Sequence, residues 1–106
     1  MPNYLFAYTG GDTPASEEEG KKVMAAWMSW MGGVGDALAD GGAPFSGTSR
    51  SVGSGDKVSD GAASGLTGYS VIRADDIDGA LAHAKTCPQL AANGEIQIFE
   101  TAQIEM

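Results

Sequence analysis

"GLTGYSVIRADDIDGALAHAKTCP", residues 65–88, decides the fold because its hydrophobic period changes halfway along. From Gly68 to Ala74, Tyr69, Val71 and Arg73 alternate with Ser70, Ile72 and Ala74, the period of two expected of a strand with a buried side. At Asp75 the period becomes helical, with Ile77, Ala80, Leu81 and Ala84 forming one apolar stripe. Asp75 is positioned to cap this helix, while Asp76 and Asp78 fall in its first turn and Lys85 near its negative end. Pro88 has no N–H and clashes with the preceding turn, so the helix is expected to stop there. The stretch reads as scaffold, a strand feeding directly into an amphipathic helix.

Toward the N-terminus, "YLFAY" from Tyr4 to Tyr8 is aromatic-rich and closes on Gly10-Gly11, which predicts a first strand inside a sheet. Ser16 with Glu19 forms an S-x-x-E capping box, so a helix is predicted from Glu17. Val23, Trp27, Trp30, Met31, Val34 and Leu38 recur at three- and four-residue spacing and carry that helix to Asp40-Gly41-Gly42. Gly32, Gly33 and Gly35 interrupt it and imply close backbone packing or a bend. The segment from Ala43 to Asp60 is small, polar and glycine-rich, and is read as an edge strand with a glycine turn. After Asn93-Gly94, "GEIQIFETAQIEM" alternates Ile96 and Ile98 with Gln97 and Phe99 as a last strand.

The resulting order, β-α-β-β-α-β over residues 1–106, is that of an α+β ferredoxin-like domain, an antiparallel sheet with two helices on one face. Its other face has no helix. Tyr4, Phe6 and Tyr8, or Leu5 and Ala7 in the opposite register, would be left bare unless a second layer covered them. A domain this small has a thin core, and its single cysteine, Cys87, excludes an internal disulfide. His83 and Cys87 fall short of a metal ligand set, so no metal or cofactor is expected. Self-association into a homodimer is the remaining source of burial.

Fourteen acidic residues against six basic ones give a net charge of −8, which opposes nucleic-acid and anionic-membrane partners. "MPNYLFAYTGG" lacks the basic and apolar regions of a secretory signal, and no apolar run is long enough to span a bilayer. A cytoplasmic protein is the expectation.

Taken together, the opening strand with Gly-Gly, the Trp-bearing "AAWMSWMGGVGDALADGG", Asp60-Gly61, Gly68-Tyr69 and "ADDIDGALAHAKTCP" resemble the YCII-related, or DGPF, domain family. These are small bacterial proteins of the dimeric α/β-barrel type, so the resemblance implies that fold and a homodimer. Two departures stand out. The family's Asp-Gly continues to Pro-Phe, whereas here it continues as "AASGLTGY" with Ala62 and Ala63. Some relatives also pair a first-helix histidine with an aspartate as an acid/base dyad; this helix has no histidine, leaving Asp36 without such a partner.

His83 is the first general-base candidate by its ordinary titration range, although its place on the flank of the second helix argues for a surface or interface position. Asp36 and Asp60 are carboxylates outside capping positions, and Arg50 is a candidate clamp for a carboxylate ligand. Tyr8, Trp27, Trp30 and Tyr69 read as core or interface aromatics that would equally line an apolar ligand cleft. The leading reading is a non-catalytic or ligand-binding homodimeric scaffold. Its rival is a small-molecule isomerase, lyase or cofactor-free monooxygenase acting on an aromatic or lactone-like substrate. That rival requires Asp36, Arg50, Tyr8 and His83 to meet in one pocket.

Overall fold

The computed structural model describes residues 1–62 and 64–103; Ala63 of the altered Asp-Gly corner and residues 104–106 of the last predicted strand segment lie outside them. Strand β1 (Asn3–Gly10) is followed by helix α1 (Glu17–Val34), a single 3-10 turn (Gly35–Ala37) and strand β2 (Leu38–Pro44). Next come a short hairpin, β3 (Arg50–Gly53) with β4 (Lys57–Asp60), and strand β5 (Leu66–Arg73). Helices α2 (Ile77–Ala84) and α3 (Pro88–Ala91) and strand β6 (Gly94–Glu100) complete the described chain. The main sheet has the order β2-β5-β1-β6 with every neighbouring pair antiparallel. This is the ferredoxin-like topology, with the β3–β4 hairpin added between its second and third strands.

The register of β1 settles which aromatics face the helices. Tyr4, Phe6 and Tyr8 are buried and pack with Trp30, Val34, Ala80 and Ala84, so α1 and α2 share that face of the sheet. Leu5 and Ala7 therefore point to the open face, where they pair across strands with Val71, Tyr69, Phe99 and Gln97. A sheet and one helical layer account for a thinnest dimension of 18 Å. The radius of gyration, 15.4 Å, exceeds the roughly 13 Å of a compact domain of this length, because the fully exposed β3–β4 hairpin stands off the main sheet.

The first predicted helix is shorter than its apolar stripe. Ser16 caps it as expected, its Oγ accepting the Glu19 N–H at 3.2 Å, while the Glu19 carboxylate accepts the Ala15 N–H at 3.0 Å. Gly35 ends it with a φ of 61°, its N–H donating to the Met31 carbonyl. Leu38, assigned from its spacing to the helix, begins β2 instead, yet it still packs against the core. Gly32 and Gly33 bring no other backbone close, since a Cβ on either would meet open space. The edge strand is Leu38–Pro44, not a strand within residues 43–60, and the glycine turn there belongs to the separate hairpin.

The second predicted helix also divides. Asp76, one residue later than expected, is the cap, its Oδ1 accepting the Gly79 N–H at 2.8 Å. Ala80 and Ala84 are buried, whereas Ile77 and Leu81 are 52% and 41% exposed, because the helix lies on the sheet through its alanines. Pro88 does not end this helix; it occupies the first turn of α3, where a missing N–H costs nothing.

Strand β2 can follow β5 because Gly42 is a glycine. Its φ is 73°, and a Cβ there would overlap the Tyr69 carbonyl. Gly42→Ala is predicted to destabilise the domain by roughly 2–4 kcal/mol, whereas Gly32→Ala should stabilise it by up to about 1 kcal/mol. Urea denaturation of the two variants checks both signs.

Candidate functional site

Two cavities flank α1. One is a cleft of about 470 Å³ between α1 and the strands β1, β5 and β2, bordered by Tyr8, Met24, Trp27, Met31, Gly41 to Pro44, Thr67 to Ser70 and Gln89. The other is a more open groove of about 620 Å³ between α1 and the α2–α3 region, with Ala26, Trp30, Gly33, His83 and Cys87 on its sides. The cleft exists because α1 meets the sheet closely only toward its C-terminal end: Trp30 and Val34 are buried, while Val23, on the same apolar stripe nearer the N-terminus, is exposed.

Aromatic rings build the wall between the two cavities. Trp27 stands edge-on to Tyr8 at 5.3 Å between centroids and to Trp30 at 5.7 Å. Trp30 continues the row onto Phe6 at 6.5 Å and donates its indole N–H to the His83 carbonyl at 3.0 Å, which ties α1 to the end of α2.

The polar part of the cleft is a short hydrogen-bonded chain. The Tyr8 hydroxyl donates to Ser70 Oγ at 2.8 Å, and Ser70 Oγ donates to the Gly41 carbonyl at 2.9 Å. Thr67 Oγ1 donates to the Tyr8 carbonyl at 3.2 Å, and Gln89 Nε2 donates to the carbonyls of Thr9 and Gly10 at 3.0 and 3.2 Å. Tyr69 borders the cleft through its strand, and its hydroxyl donates to Asp40 Oδ2 at 3.2 Å beside the ring of Phe45. Burial pushes the Tyr8 hydroxyl well above the usual phenol range, with the adjacent Cys87 adding to the rise and the Ser70 hydrogen bond opposing it. Burial likewise raises the Cys87 thiol, so it is no ready nucleophile.

Of the candidates read from sequence, Tyr8 and Trp27 come together at the cleft, and Tyr69 borders it through its backbone with its ring on the open face of the sheet. Trp30 lines the other groove, as does His83. Arg50 and Asp60 pair with each other across the base of the hairpin at 3.4 Å, with 63% and 95% of their side chains exposed. Asp36 is exposed on the 3-10 turn, where its backbone carbonyl accepts from Arg73. Asp36, Arg50, Tyr8 and His83 thus line no common cavity among the described residues. Tyr8 and Tyr69 are the titratable residues on the cleft lining.

Ser70 and Gln89 were not singled out from sequence. Ser70 had a signal, since it is the one hydroxyl in the buried phase of β5, between Gly68 and Ile72. Gln89 had none, because its burial depends on α3 folding back over the Gly10 turn.

The strand order and the one-sided helical layer are those of the ferredoxin-like fold that the sequence implied. No family model matches the chain, and no curated protein does. Among solved structures the chain is similar to 5-chloro-2-hydroxyhydroquinone dehydrochlorinase from Burkholderia phenoliruptrix AC1100, solved in complex with 2,5-dihydroxybenzoquinone. The TM-score is 0.56 at 15% identity, covering 96% of this chain and 94% of that one, a likeness of fold. No helix among the described residues is long and apolar enough to cross a membrane.

Tyr8 and Cys87 give stability a specific alkaline limit. Both are neutral in the folded and unfolded chain below the ordinary thiol value of 9.0. As pH rises through 9.0 and then 10.0, the unfolded chain ionises at these groups while the folded chain does not, so stability falls. Between about pH 8 and about pH 11 the urea midpoint should drop further for the native chain than for a Tyr8→Phe, Cys87→Ala double variant. Parallel declines would show that these two groups are not held neutral by the fold.

Proposed function

We propose that this chain is a homodimer that binds a small, ring-sized, largely apolar molecule in the cleft between α1 and the sheet. Trp27 and Tyr8 form its aromatic wall, and Tyr69 contributes its backbone at the edge while its ring lies on the open face of the sheet. The observation that carries this reading is the cleft itself, an apolar space of about 470 Å³ with its polar groups gathered around Tyr8 and Ser70. That volume falls in the range of small-molecule sites. The fold neighbour supports a ring-sized ligand, since its structure holds 2,5-dihydroxybenzoquinone. On this reading the chain is a divergent YCII-related protein with an altered Asp-Gly corner.

The dimer follows from the open face of the sheet. Leu5, Val71 and Phe99 lie there in register, and Phe99 is 51% exposed. A second copy stacked face to face would cover that surface and double a thin core.

An enzymatic reading, with an aromatic or lactone-like substrate, is favoured by one observation: the neighbour is a dehydrochlorinase. Binding without chemistry accords better with the dispersal of Asp36, Arg50 and His83 away from Tyr8.

Two measurements test the proposal. Resorcinol titrated calorimetrically should bind the native chain and bind Trp27→Ala about tenfold more weakly, as removal of a stacked aromatic wall requires; equal affinity would contradict the cleft as its site. In sedimentation, the native chain should run as a dimer and Val71→Lys as a monomer; a native monomer at micromolar concentration would contradict the stacked sheets.

A further inference from the structure

The hydrogen bonds around the cleft all run in one direction. The Gly41 carbonyl can only accept, so Ser70 must donate to it. Ser70 then has no hydrogen left, so Tyr8 must donate to Ser70. Thr67 gives its hydrogen to the Tyr8 carbonyl, and Gln89 gives its amide hydrogens to the carbonyls of Thr9 and Gly10.

What these side chains leave free toward a ligand is lone pairs, on the hydroxyl oxygens of Tyr8 and Thr67 and on the amide oxygen of Gln89, with the buried Ser70 standing behind Tyr8. The sulfurs of Met24 and Met31 add weak acceptors. The indole N–H of Trp27, on the helix side, is the one side-chain donor on the lining without a protein partner among the described residues. No lysine, arginine or histidine lines the cleft among the described residues, and the chain carries a net charge of −8. An anion entering this space would lose its water and meet neither a cation nor a row of donors.

We propose that the cleft selects neutral hydroxylated aromatics, whose O–H is received by the lone pairs of the Tyr8 and Thr67 hydroxyls, and refuses the corresponding phenolates and carboxylates. This rests on the ligand-binding reading of the cleft and names the chemical class it takes. Ser70 is the specificity-determining residue: it fixes the direction of the chain by absorbing the Tyr8 hydrogen. In Ser70→Ala that hydrogen is released, and Tyr8 becomes a donor to the ligand.

The experiment compares three probes by calorimetry. Resorcinol carries two O–H donors; 1,3-dimethoxybenzene keeps the ring and its oxygens but has no donor; 4-nitrophenol changes charge at an accessible pH. Resorcinol should bind at least about tenfold more tightly than the diether, although the diether is more apolar. The affinity of 4-nitrophenol should fall about tenfold per pH unit once it ionises. In Ser70→Ala the preference for resorcinol over the diether should shrink by at least about fivefold.

Equal binding of resorcinol and the diether, or tighter binding of the phenolate, would overturn the donor rule. If Trp27→Ala still weakened all probes in that case, the cleft would stand as the site and only its selectivity would have been misread. If no probe responded to Trp27→Ala, the ligand-binding reading would fall, and this inference with it.

Discussion

Trp30 holds the three parts of the domain together. Its ring packs on Phe6 of β1, its edge meets Trp27 on the same helix, and its indole N–H reaches the His83 carbonyl at the end of α2. Burial of one aromatic side chain removes about 150–250 Å² from water, on the order of 4–6 kcal/mol at the usual coefficient. In a domain one sheet and one helical layer thick, that is comparable with the net stability of the fold. The alanine face of α2 can lie close to the sheet because Trp30 fills the angle between the helices.

This anchoring is asymmetric, and the cleft follows from the asymmetry. α1 is pinned at Trp30 and Val34, near its C-terminal end, while Val23 on the same stripe is left exposed toward its start. Between that raised end and the sheet, Trp27 and Tyr8 form a wall instead of a filled core. Gly42 completes the other side, since only a glycine lets β2 approach the Tyr69 carbonyl. Buried hydroxyls that would otherwise be unsatisfied at this boundary are aligned toward backbone carbonyls, and that alignment gives the cleft its polarity.

The alternation of β5 and the helical spacing of the two Trp residues were legible in the sequence, and with them the topology and the one-sided helical layer. The end of α1 was not, because Leu38 lies four residues beyond Val34 and is apolar for the core whether it continues a helix or begins a strand. A period identifies the buried side of a residue, and here both conformations bury the same one. The edge strand was equally hidden: "LADGGAP" has poor strand propensity and pairs only through the positive φ at Gly42. The aromatic half of the candidate site could be read from Tyr8 and Trp27. The polar half could not, since the directions of its hydrogen bonds depend on Gly41, Thr9 and Gly10 carbonyls brought close by the tertiary fold. Arg50 and Asp60 looked available from sequence and instead neutralise each other at the hairpin base.

The central claim is that the space beside Trp27, and not the wider groove beside Trp30 and His83, is where a small molecule enters. The two indole N–H resonances of the native chain report on the two cavities separately, because Trp30 Nε1 is hydrogen-bonded to the His83 carbonyl and Trp27 lines the cleft. Titration with resorcinol, followed by proton–nitrogen correlation spectra, should move the Trp27 indole signal progressively and leave the Trp30 signal in place. Movement of the Trp30 signal with a stationary Trp27 signal would put the ligand in the helical groove and contradict the account.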